Sequence, residues 1–161
     1  MHQWPLPTYV QSIYIRANGD VLVTTVFPRA SIYAITDVRT QDPKVTLVHT
    51  FDQINAVTGI IEMKPDVFAF MGGMQSSLGV GIDGTFGIWE LDLRPARGSY
   101  TGDVSIQELV HLPLAGLIGS FDLLPGDPTV LLVADTFKGV VWRVDTKARS
   151  YAIAARDKHM R

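Results

Sequence analysis

Apolar residues fall along this chain in short runs, each closed by a cluster of Gly, Pro, Asn or Asp. The first series is Val10–Ile15, Val21–Thr25, Ser31–Thr36 and Val45–His49, divided by Asn18, Gly19 and Asp20, by Pro28, and by Asp42 and Pro43. A second series is Thr58–Met63, Val67–Met71, Phe86–Leu93 and Val104–His111, and a third is Leu117–Leu124, Val130–Ala134, Gly139–Val144 and Arg149–Ala154. Runs of this length, rich in Val, Ile, Thr and aromatic residues and bounded by turn formers, predict β-strands. No window carries the stripe of a helix. Proline cannot donate to a sheet ladder, and the pattern places Pro28, Pro43, Pro65, Pro95, Pro113, Pro125 and Pro128 between strands, with Pro5 and Pro7 ahead of the first.

One strand is written three times. Ile32, Tyr33, Ala34, Ile35, Thr36 recurs as Ile88, Trp89, Glu90, Leu91, Asp92 and as Val141, Trp142, Arg143, Val144, Asp145, with aromatic centres 56 and 53 residues apart. A period near fifty marks stacked supersecondary units, and four antiparallel strands per unit predict a β-propeller. The expected architecture is all-β: three four-stranded blades, at about 8–51, 57–112 and 116–155, in one partial domain over 1–161. Propellers typically close with about four to eight blades, so three leave two apolar sheet flanks in water, at a cost above the net stability of a domain. The chain is therefore expected to be half of a six-bladed ring, completed by a second copy in a homodimer or by further sequence.

Composition narrows the partners. With 47% hydrophobic and 19% charged residues and a net charge of −2, the chain reads as ordinary and globular, and no nucleic-acid partner is expected. The basic stretch holding Arg143, Lys147, Arg149, Arg156, Lys158 and Arg161 has Tyr151 as its one aromatic and reads as a solvated outer strand and tail. The absence of cysteine excludes disulfides, thiolate metal sites and a cysteine nucleophile. No run approaches the ~20 apolar residues of a membrane helix, so no membrane partner is expected. Met1, His2, Gln3, Trp4 and Pro5 lack signal-peptide character, and neither Asn18 nor Asn55 begins a glycosylation site. A cytoplasmic chain and a mature fragment freed of its leader fit equally.

Several motifs lead nowhere chemical. Gly79, Gly81 and Gly84 spell G-x-G-x-x-G, but the segment leads into the strand Phe86–Trp89, whereas the dinucleotide motif must open a helix. The stretch 72–84 is long for a connection and reads as a flexible loop or a functional lid. His49 and His111 end the fourth strand of their blades, which places both on the outer rim, and His2 and His159 lie near the termini. No Gly-x-Ser-x-Gly elbow occurs. Trp89 and Trp142, central in the repeated strand, are expected to pack between blades.

In a hairpin the start of the first strand and the end of the second share one end, so equivalent positions of all blades meet at one channel mouth. That mouth receives Gln11, Thr25, Thr58, Met71, Gly72, Gly119, Asp135 and Phe137. Of these, Gln11, Thr25, Thr58, Met71, Asp135 and Phe137 are the candidate substrate-binding residues; no catalytic residue is singled out. Asp135 has two readings, a cap on the turn that follows its strand or a ligand-facing carboxylate.

Four segments together resemble the six-bladed gluconolactonase and regucalcin-like propellers, and more closely a fungal secondary-metabolism branch of them. These are Ile13–Val23 with its Arg16 to Asp20 turn, Leu47–Phe51, Gly59–Phe68 with Pro65 and Asp66, and Val133–Asp135 leading to Val141–Asp145. The resemblance covers nearly the whole chain and about the first half of a family member. It implies a calcium site built from a Glu, Asn residues and an Asp. Asp135 matches, while the acid position is occupied by Gln11 and the Asn positions by Thr58 and Gly119. Calcium needs six to eight oxygen ligands with carboxylate charge, so metal-dependent lactone hydrolysis is the weaker implication and no cofactor is expected.

The resemblance extends to propellers that steer metal-free hetero-Diels–Alder cycloadditions, chemistry that needs shape, exclusion of water and one or two hydrogen-bond donors. Two classes therefore stand open for a small-molecule substrate in the channel. One is a metal-independent cyclase acting on an apolar compound; the other is a binding or carrier propeller without chemistry. A calcium-dependent lactonase or esterase is the third alternative.

Overall fold

The computed structural model describes residues 8–26, 29–96 and 99–156. Pro5, Pro7, Pro28, His2, His159, Lys158 and Arg161 lie outside the described residues. Fourteen strands and no helix occur among those described: β1 (Tyr9–Ile15), β2 (Val21–Val26), β3 (Ser31–Thr36), β4 (Lys44–Thr50), β5 (Ala56–Lys64), β6 (Val67–Gly73), β7 (Gln75–Ser77), β8 (Val80–Gly81), β9 (Gly87–Asp92), β10 (Ser105–His111), β11 (Ile118–Leu124), β12 (Asp127–Asp135), β13 (Val140–Asp145) and β14 (Ser150–Arg156). Each of the twelve apolar runs is one of these strands.

The strands pair antiparallel in sequence order as three meanders: β1 to β4, then β5, β6, β9 and β10, then β11 to β14. A single bridging pair, Val26 with Ala56, joins the first two meanders into one continuous eight-stranded sheet. The repeat seen in the sequence recurs in the ladders. Opposite Tyr33, Trp89 and Trp142 the outer strand of each meander skips one residue, at Val48, Leu109 and Ala154, a β-bulge at the same place three times.

Strand side chains alternate between faces, and β6 uses both. Phe68 and Phe70 pack into a core with Leu22, Ile32 and Ala34 of the first meander, whereas Ala69 and Met71 pack into a second core with Leu131, Val133 and Trp142 of the third. The middle meander is thus covered on both faces, which is why every residue of β6 is buried and reads as a near-continuous apolar run. Trp89 packs against the first core and Trp142 within the second.

Two expectations change. Pro128 is the second residue of β12, not a connector; it sits where the register with β11 slips between the Leu124–Asp127 and Leu123–Leu131 pairs, and at a bulge near a strand start the missing N–H costs no ladder bond. The 72–84 stretch is an ordered two-stranded hairpin, β7–β8, not a structureless loop.

Candidate functional site

The first strand of each meander carries a bulge near its beginning, again at one equivalent position. Gln11 is skipped between the Val10–Thr25 and Ser12–Thr24 pairs, Thr58 between Val57–Gly72 and Gly59–Met71, and Gly119 between Ile118–Asp135 and Ser120–Ala134. A bulged residue has no ladder partner and turns away from the regular face, the device by which sheets re-aim a side chain. Because β5 lies against both β1 and β11, the three bulges converge. All three line a cavity of about 350 Å³ and a smaller one of about 130 Å³ beside it.

The two compartments differ in chemistry. Tyr9, Val10, Leu78, Leu117 and Ile118 make much of the larger one apolar, while Ser12 and Ser120 join Gln11 and Thr58 in the smaller. Two of the hydroxyls are already engaged: Thr58 donates to the Ile118 carbonyl at 2.8 Å, tying β5 to β11, and Thr136 donates to the Leu117 carbonyl at 3.0 Å. Among the described residues that line the larger cavity there is no Asp, Glu, His, Lys or Arg.

The β7–β8 hairpin supplies one wall through Gln75, Leu78 and Gly79. Asn55, just before β5, grips both backbone polar groups of one residue, accepting from Gln75 N at 2.7 Å and donating to Gln75 O at 2.8 Å. Lys138 pairs with Asp83 at 2.7 Å on the other side. Gly81 lies so close to the Gly116 carbonyl that a Cβ there would collide with backbone.

Of the six candidate binding residues, Gln11 and Thr58 line the cavities and the rest do not. Thr25 is buried with its hydroxyl on the Arg29 and Ser31 carbonyls. Met71 points into the second core, and Phe137 is exposed on the turn after β12. Asp135 is 2% exposed and surrounded by donors. Its Oδ1 accepts from the N–H groups of Leu117, Phe137 and Lys138, and its Oδ2 from Gly116 N–H and Trp142 Nε1–H, at 2.9 to 3.2 Å. It caps the turn and clasps β11 to β13, which is the first of its two sequence readings. Both oxygens being occupied, Asp135 does not fit the calcium role that the family resemblance implies. Among the described residues no group of three or more His, Cys, Asp or Glu side chains gathers to hold a metal ion.

The histidines stand apart from the cavities. His49 packs edge-on against Phe51 with ring centroids 4.7 Å apart, and burial lowers its pKa, opposed by the charge of Asp52. His111, at the end of β10, is exposed with Nδ1 at 3.0 Å from Glu108. At the far end of the hairpins Arg16 bonds Asp66 and Tyr100, and Tyr100 in turn donates to Asp20 at 2.7 Å. Burial pushes the Arg16 guanidinium down, but its bonds to Asp66 and Tyr100 outweigh that and leave it raised.

Gln75, Leu78 and Asn55 are the site residues that periodicity misses. The available signal was a two-residue turn at Leu78 and Gly79 between short polar and apolar arms, too brief to read as a hairpin without its docking partners.

No family model matches the chain. It is 29% identical over 171 residues to a protein of Sarocladium schorii that bears the provisional name hetero-Diels-Alderase asR5, and 28% identical over 178 residues to one from a Phoma species provisionally named hetero-Diels-Alderase. The alignments cover 95% and 98% of this chain but 41% and 49% of those proteins. The chain spans about half the length of the curated relatives it matches.

Proposed function

We propose that this chain forms the first three blades of a propeller enzyme of fungal secondary metabolism, in which an apolar substrate is folded and cyclised without a metal. The observation that carries the reading is the convergence of three equivalent bulges, at Gln11, Thr58 and Gly119, on one apolar-rimmed cavity with a polar recess. The names of the two relatives support the reaction class.

A hetero-Diels–Alder closure converts three π bonds into one carbon–carbon bond, one carbon–heteroatom bond and a relocated π bond, with no proton, electron or leaving group exchanged. It asks a protein for alignment of the two π systems, which effective-molarity arguments value highly, and for hydrogen bonds to the heteroatom as charge develops there. A cavity whose described lining holds no Asp, Glu, His, Lys or Arg but offers amide and hydroxyl groups suits that demand. The ring is completed by a second copy of the chain or by further sequence, consistent with the coverage of the longer relatives.

The rival readings separate in one assay. An α,β-unsaturated ketone and an alkene that fit the cavity are incubated with the protein, and adduct formation and enantiomeric excess are followed by chiral chromatography, with and without a chelator. The cyclase reading requires faster formation of one enantiomer, unchanged by the chelator. A racemic product at the background rate, with the product bound, identifies a carrier. Chelator-sensitive hydrolysis of a lactone or aryl ester identifies the calcium lactonase, which the five N–H groups on Asp135 oppose.

A further inference from the structure

We infer that Gln75 is the fixed hydrogen-bond donor of the cavity, positioned to hold a carbonyl or other neutral oxygen acceptor of the substrate; this rests on the cavity being the substrate site. Gln75 lines the larger compartment yet is only 8% exposed. Its backbone is held on both sides by the Asn55 carboxamide. Its side chain is held as well, because Oε1 accepts from Gly79 N–H at 2.9 Å across the hairpin tip. That bond identifies the oxygen end of the amide and so the NH₂ end. Among the described residues no acceptor meets this NH₂ group, and it is not sealed from solvent.

The alternatives in the same cavity are weaker. The Thr58 and Thr136 hydroxyls already donate to carbonyls, and Tyr9 and Gln11 sit exposed on β1. A donor whose partner end is anchored loses little side-chain freedom on binding, and one on a mostly buried residue is partly shielded from competing water. The chemical class it selects is an apolar molecule with a neutral acceptor oxygen. In the proposed closure that oxygen belongs to the heterodiene, where a hydrogen bond draws electron density off the reacting carbon.

The test uses the 161-residue chain and two probes, the ketone dye prodan and its analogue with the ketone reduced to a methylene group. Gln75→Glu, read at alkaline pH where the carboxyl is ionised, keeps the acceptor for Gly79 and removes the donor; Gln75→Met serves if the first variant does not fold. Prodan affinity is expected to fall roughly fivefold or more and its bound emission to move to the blue, while the methylene analogue binds as before. Equal loss for both dyes, or no loss for prodan, overturns the inference and leaves the cavity reading standing. Failure of the wild-type chain to bind either dye overturns both.

Discussion

Asp135 and His49 show how far a single titratable group can be committed to the fold. Asp135→Asn replaces an acceptor-only carboxylate with an amide that places NH₂ against N–H groups, leaving buried donors unmet. Losing charge-assisted bonds at a buried site costs about 2–3 kcal/mol, which for a chain of this size lowers Tm by roughly 4–12 °C. Calorimetry checks it, and metal affinity is expected to be the same in both proteins. His49 works through linkage. Its folded pKa lies below the ordinary 6.5, so the unfolded chain takes up the proton first. The stability it contributes is present above 6.5 and is lost as pH falls through the folded value. Urea midpoints measured between about pH 7 and 5 are expected to drop, and His49→Gln should flatten that slope.

The strands and turns carry two further expectations. At the turn end, Arg16 joins the β1–β2 turn to Asp66 of the second meander and to Tyr100, and its ring-facing guanidinium sits 5.3 Å from the Tyr100 ring centre. Arg16 is the buried partner and Asp66 the half-exposed one, so Asp66→Ala, which leaves a buried guanidinium without that carboxylate, and Arg16→Ala, which also removes its packing on the Phe68 and Tyr100 rings, are each expected to destabilise by about 2–3 kcal/mol, measured by chemical denaturation. Burial, and next the bond to Asp20, raise the Tyr100 pKa above 10.0; its contribution is therefore present below pH 10.0 and lost as pH rises through the raised value. At the cavity end, Gly81→Ala drives a Cβ into the Gly116 carbonyl and should release the β7–β8 hairpin. Limited proteolysis would then cut near Leu78, while cleavage as slow as in the parent would show that the hairpin does not depend on this close approach to Gly116. The repeat also explains an orphan. Thr25, Gly72 and Asp135 occupy equivalent places, paired with Ser31, Gly87 and Val140. Trp142 Nε1 finds Asp135 there, whereas Trp89 faces Gly72 and Ile54 and its buried Nε1 has no hydrogen-bond partner among the described residues.

For the molecule entire, the proposal of a ring completed by a mate predicts a solution mass of two chains by light scattering for the 161-residue protein; a stable species of 17.7 kDa would oppose it. The strand order and the threefold repeat were legible from the start, because apolar runs, turn residues and recurrence at 56 and 53 residues are local properties that no distant contact needs to supply. Residues at the right end of each hairpin were legible too. Which of them face the cavity was not: Gln11 and Thr58 do so because bulges re-aim them, while Met71 and Asp135, a pairing or two away, turn into the core and onto five N–H groups. Gln75 was hidden for the same reason, since its orientation is set by Asn55, twenty residues earlier, and by Gly79 across a turn. The amino-acid pattern by itself determined the strands, their order and the all-β class, which follow from short apolar runs closed by turn residues and repeated along the chain. Only the tertiary structure decided the site, because one extra residue in a ladder reverses the direction of a side chain and leaves no trace in the hydrophobic pattern.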